Sequence, residues 1–190
     1  MFTKVRVHER GFTMLEATIV LAVIGIIAGI TLPRLNSAMR EHRVNAAVRQ
    51  IIDTIRRAKT QAVSENRDSA IAIDLAARRI GVVFFNDDDT VNRIEFMPLP
   101  EGVSFQRPAG ITAAPPGVTG AGVVSFAREG DYFQQNFNSR GFPSLASGAD
   151  VVSIFFGNGQ SFRAVTMTSL GGIRAYSLEE SAWVSTGQTR

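Results

Sequence analysis

Glu16 is the only charged residue between Phe12 and Leu32, a stretch that otherwise reads FTML-ATIVLAVIGIIAGITL. At about 1.5 Å per residue, a helix of that length spans roughly the 30 Å hydrocarbon core of a bilayer. A carboxylate near one end of such a helix is expensive to bury in lipid and needs a partner. Any account of the chain must therefore explain both the apolar run and the single acid within it.

The run is longer than the apolar core of a secretory signal, which is about 7–15 residues. It passes into Pro33-Arg34-Leu35 with no A-x-A cleavage site. A plain membrane anchor fits the length and leaves Glu16 without a role. A short basic leader, MFTKVRVHERG, precedes the run. Lys4, Arg6 and Arg10 against Glu9 make this leader net positive, which predicts that it stays cytoplasmic while the rest of the chain crosses the inner membrane. Arg34, Arg40 and Arg43 on the far side weaken that asymmetry, so charge alone does not set the topology.

The residues G-F-T-M-L-E, Gly11 to Glu16, resemble the processing site of type IV pilins and pseudopilins. The resemblance covers roughly Arg10 to Leu35. It implies cleavage after Gly11 by a prepilin peptidase, with Phe12 as the first mature residue and its new amine methylated. It assigns Glu16 to fibre assembly and makes Pro33 a helix-kinking proline. The chemistry follows from the spacing. The Phe12 amine would be positive, and Glu16 lies one helical turn further on, within reach of that amine or of an adjacent subunit's. Pairing offsets the cost of a carboxylate in low dielectric. It would also set register, as a buried polar group does in a coiled coil.

Composition agrees with one anchored domain. The 190 residues suffice for one sizeable core beyond the anchor. With no cysteine, the exported part has no disulfide, no thiol chemistry and no Cys-ligated metal. The pI of 9.9 suggests a nucleic-acid binder and misleads. Three basic residues and one acid lie in the leader, so the mature chain keeps only +1 of the formal +3. That is no electrostatic footprint for DNA.

Beyond Pro33, Val44, Val48, Ile51, Ile55, Ala58 and Ala62 recur at helical spacing and read as a core-facing stripe. Arg43, Gln50, Asp53, Arg57 and Thr60 lie mostly off that face and read as solvated. Few breakers interrupt Arg34 to Glu65, so a continuous helix is predicted, ending near Asn66. From Ser69 the period becomes that of strands. SAIAIDL and RIGVVFF flank AAR as a hairpin. RIEFMPL and GVSF follow, then VVSFA, YFQQNF and VVSIFF. Gly157-Asn158-Gly159 leads into QSFRAVTMT as a second hairpin, and GIRAYSL is the last short strand. Residues 107–122, rich in Pro, Gly and Ala, read as a surface loop.

A second resemblance lies in the strand region. F-N-S-R-G-F-P, Phe137 to Pro143, followed by a hairpin and G-G-I-R, Gly171 to Arg174, is similar to the end of the GspH/FimT pseudopilin domain. That family builds its head from antiparallel sheets packed on the helix. Local turn chemistry also accounts for Gly141 and Gly171. Some FimT-type minor pilins bind DNA for uptake through G-R-x-R at this position. Here Gly172 replaces the first Arg and only Arg174 remains, as the one candidate nucleic-acid contact. Phosphate binding draws on several cations together, so DNA is the less favoured partner.

Other chemistry has little support. His8 lies in the leader and His42 in the solvated helix, where nothing suggests a Ser-His-Asp site. The run Asn86-Asp87-Asp88-Asp89-Thr90 lacks the Gly and Glu of a calcium loop, since Val91 and Met97 stand there, and it reads as a solvated turn. Phe155-Phe156 reads as core.

The expected fold is α+β and pilin-like: a long N-terminal transmembrane helix whose second half packs on a C-terminal antiparallel β domain. Residues 1–11 form the leader, 12–33 the membrane and assembly helix, 34–67 its extension and 68–190 the β domain. The resemblance implies a minor pseudopilin of a type II secretion pseudopilus, single-pass in a bacterial inner membrane with its head periplasmic. Its partners would be the peptidase, other pilins, membrane lipid and secreted cargo. Small residues Gly25, Ala28 and Gly29 would let helices approach closely. No cofactor, no metal and no enzymatic activity are expected. The alternatives are a type IV pilus minor pilin in pilus biogenesis or DNA uptake, and an enzyme on an anchor.

Overall fold

The computed structural model describes residues 13–145 and 149–189, without the side chains of residues 30–34 and 187–189. Among the described residues the helix α1 runs Met14–Glu65. Thr13 starts it: the Glu16 backbone N–H donates to Thr13 Oγ1 at 3.2 Å, the arrangement of an N-cap. Asn66 ends it with φ of 49°. There the Arg67 N–H reaches the Ala62 carbonyl at 3.1 Å and the Asn66 N–H reaches that of Val63 at 3.3 Å. Those two bonds form a Schellman cap, which explains why the helix stops one residue before Asn66.

Contacts divide the chain into two units, Met1–Met39 and Arg40–Arg190. In the first, Leu21, Ile24, Ile26 and Ile27 are all more than half exposed, so the described helix has apolar side chains on every side. A helix apolar all round requires lipid or other helices around it. Among the described residues no helix is long and apolar enough to cross a membrane. The expected span of 12–33 includes Phe12 and the side chains of 30–34, which lie outside the described residues.

The second unit joins the end of α1 to two five-stranded antiparallel sheets. Sheet A comprises β1 (Ser69–Asp74), β2 (Arg79–Phe85), β3 (Val91–Pro98), β5 (Ala127–Glu129) and β6 (Tyr132–Phe137), in the order β3-β2-β1-β6-β5. Sheet B comprises β4 (Ser104–Phe105), β7 (Val151–Gly157), β8 (Phe162–Thr168), β9 (Ile173–Glu179) and β10 (Ala182–Thr189), in the order β10-β9-β8-β7-β4. Val44, Ala47, Ile51, Ile55, Ala58 and Ala62 are fully buried, and they form one core with Ile71 and Ile73 of sheet A and Ile154, Phe156 and Met167 of sheet B. The predicted stripe of α1 is thus its packing face. The small alanines at 58 and 62 allow close approach, and Ser69 Oγ donates to the Ala58 carbonyl at 2.7 Å within that contact.

Both sheets also bury part of their outer faces. Ala70, Ala72 and Val83 lie under Phe85, Ile94, Phe96 and Tyr132. On sheet B, Phe155, Ala164 and Tyr176 lie under Val118 and Trp183. The 107–122 loop is held on that face. The Trp183 indole donates to the Ala113 carbonyl at 2.9 Å, and Arg107 bonds Gly120 while its guanidinium sits 4.8 Å from the Phe155 ring centre.

Two strand expectations change. VVSFA forms only a single bridge, Val124 to Ile154, because β4 already takes the adjoining edge of β7. The nearby strand is β5 instead. GIRAYSL is not the last strand: β10 follows after Glu180–Ser181. Its polar sequence lacks alternation, and pairing with β9 makes it a strand.

At the β1–β2 turn, Asp74 Oδ1 accepts the Ala77 N–H at 2.9 Å and Oδ2 pairs with Arg79 at 2.9 Å. The Ala77 bond, then Arg79, hold its carboxyl below the usual Asp value. A depressed carboxylate contributes stability above its unfolded pKa and loses it as pH falls through the folded value. Asp74→Asn is expected to lower the melting temperature at neutral pH by about 2–4 °C. The gap from wild type closes below the ordinary Asp value of 3.8, as thermal unfolding across pH would show.

Candidate functional site

Two regions carry the residues singled out by sequence. At the first, Gly11 and Phe12 lie outside the described residues. Glu16 is exposed in the first turn of α1. T-M-L-E, Thr13 to Glu16, is also the pattern of a capping box, in which an acid at the third helical position supports the helix start. Thr13 Oγ1 accepting the Glu16 N–H supplies one half of that box. Pro33 lies within the bounds of α1, and its side chain is outside the described set.

At the second region the two glycine motifs of the head meet on α1. Asn138 Oδ1 accepts the N–H groups of Arg140 at 3.0 Å and Phe142 at 3.1 Å, folding the loop back on itself. Gly141 there has φ of 76°, and a Cβ on it would lie 3.1 Å from Val63 Cγ2 and 3.4 Å from the Lys59 carbonyl. Gly171, also at φ 76°, ends the β8–β9 turn with a Cβ position 2.8 Å from Lys59 Nζ. The Lys59 ammonium donates to the Gly171 carbonyl at 2.8 Å. Partial burial, and then the neighbouring Arg56, hold its pKa below the usual lysine range. Lys59 thus ties the helix to the β8–β9 turn, and the Gly141 loop packs against the same turn of α1. Sequence reading missed it, because a lysine beside Ala58 at the edge of an apolar stripe looks like any solvated cation.

Arg174 is exposed on β9, opposite Thr166 of β8 and Gln188 of β10. It points away from Ile173 and Ala175, which join the inner core. His42 is exposed on α1. The Asn86–Thr90 segment is the β2–β3 turn: Asp88 accepts both the N–H and the hydroxyl of Thr90, and Asp87 pairs with Arg67. Among the described residues no group of His, Asp or Glu could hold a metal ion.

A long helix whose second half packs on antiparallel sheets is the α+β, pilin-like arrangement expected of the chain. Residues 6–32 match the family described as the prokaryotic N-terminal methylation motif. Among solved structures, the chain is similar to the minor pseudopilin EpsH from the Type 2 Secretion System of Vibrio cholerae, at 12% identity and a TM-score of 0.36. That likeness covers 75% of this chain and 97% of the other. No curated protein sequence matches the chain.

Proposed function

We propose that this protein is a minor pseudopilin, a structural subunit of a type II secretion pseudopilus. The observation that carries the reading is the methylation motif over residues 6–32, which contains Gly11, Phe12 and Glu16. A prepilin peptidase cuts after Gly11, and Phe12 is then N-methylated. The apolar segment anchors the subunit in the inner membrane with its head in the periplasm, and Glu16 pairs with a Phe12 amine as the subunit joins other pilins. The chain is a substrate of the peptidase and not itself an enzyme. Intact mass and N-terminal peptide mapping of the protein from its native membrane test this. A chain starting at Phe12, with one added methyl, is expected; an intact leader would overturn the pathway.

A second reading, a type IV pilus minor pilin in DNA uptake, is favoured by Arg174 standing exposed on β9. It predicts salt-sensitive binding of duplex DNA to the full chain, weakened severalfold by Arg174→Ala. Fluorescence anisotropy showing no binding at low salt would remove it.

A further inference from the structure

A groove of ≈ 360 Å³ runs along α1 beside the Phe137–Pro143 loop, lined by Lys59, Thr60, Val63, Ser64, Arg140 and Gly141. Its lining holds two cations and no carboxylate. The nearest acid in sequence, Glu65, already accepts a hydrogen bond from Gln61. Val63 of the lining is 55% exposed, and the sequence neighbours of the two glycines, Phe142 beside Gly141 and Leu170 beside Gly171, are 42% and 82% exposed. Lys59 uses one of its three donors on Gly171, and Arg56 presses a like charge against it. An apolar contact accompanied by a carboxylate would complete this surface.

The same strand presents that chemistry at its other end. Gly171 adjoins the start of β9 at Lys59, while β9 ends about 20 Å away, at roughly 3.3 Å per residue, in Leu178-Glu179-Glu180-Ser181. Both turn residues between β9 and β10 have positive φ, Glu180 at 46° and Ser181 at 74°. A two-residue hairpin loop of that kind favours Asn-Gly. Keeping Glu-Ser there holds two non-glycine residues in a disfavoured conformation. Strain retained at an exposed turn points to a role for its side chains.

We infer that the β9–β10 turn of one subunit docks on the α1 groove of a second copy, Glu180 meeting Lys59 and Arg140. The charges are complementary within one chain and lie at opposite ends of one strand. Such a contact is heterologous, each copy offering one face and accepting the other. The inference rests on the fibre-subunit reading and specifies which faces of the head meet.

The chain has no cysteine, which makes disulfide trapping clean. Val63→Cys and Ser181→Cys, placed on separate full-length copies in the native membrane, should form a disulfide-linked dimer on oxidation. Adding Arg140→Glu should reduce that dimer about tenfold, since like charges meet at the contact. Combining Arg140→Glu with Glu180→Lys should restore it. In parallel, Glu180→Asn with Ser181→Gly should raise the melting temperature, by relieving the turn, while weakening assembly. Absence of the dimer, or trapping of Val63→Cys on a different protein, would overturn the docking of a second copy. So would insensitivity of the dimer to both charge changes. Mass mapping of the same samples separates the two levels: mature chains at Phe12 without the dimer refute only this contact, and unprocessed chains refute the fibre reading.

Discussion

Replacing Glu16 by Gln should reduce incorporation of the subunit into fibres roughly a hundredfold, the scale expected when one partner of a desolvated ion pair is removed. Membrane insertion should be unchanged, because a neutral side chain crosses lipid more easily than a carboxylate. Gln is the informative substitution. Thr13 caps α1 through the Glu16 N–H, and a capping box accepts Gln at the third position almost as well as Glu. The variant therefore keeps the helix start and removes only the charge. Glu16→Ala, which loses both, should fail to assemble equally. The measurement is the share of subunit in sheared fibres against the share in the membrane fraction. Normal assembly of the Gln variant would confine Glu16 to helix capping.

Gly141→Val should destabilise the head by about 3 kcal/mol, within the upper range for single substitutions. Two effects add. A φ of 76° disfavours any side chain, by about 1–2 kcal/mol for left-handed backbone. The new Cβ would also crowd Val63 Cγ2 at 3.1 Å and touch the Lys59 carbonyl at 3.4 Å, and the two γ carbons of valine would add to that crowding. Gly130→Val isolates the first effect. Its φ is 58° and nothing lies within 4 Å of the added carbon, so about half the loss is expected there. Thermal unfolding of both variants checks the difference. Equal losses would mean that close approach to α1 contributes nothing.

Much of this was legible in the sequence because it is local. The stop at Asn66 and the stripe from Val44 to Ala62 are periodic or positional signals within a few turns of one helix, whereas the cap at Thr13 came from the structure. The β1–β2 and β7–β8 hairpins are similarly written in alternating residues around short turns. β10 was not legible. Its residues carry no period-2 pattern, and its strand form comes from pairing with β9. The 107–122 loop was legible as a loop, but its seat under Trp183 and Arg107 depends on contacts across the fold.

The sequence by itself determined the methylation motif over residues 6–32, the long helix and the alternation that makes the head a β domain, since these need only neighbours along the chain. Tertiary structure alone decided that two distant glycine turns close on Lys59, that Arg174 faces away from the core, and that a cationic groove and an acidic turn lie at opposite ends of β9. Those facts depend on which strands pair and on how closely a sheet approaches a helix. Both are set by packing between residues far apart in sequence, and no local pattern records them.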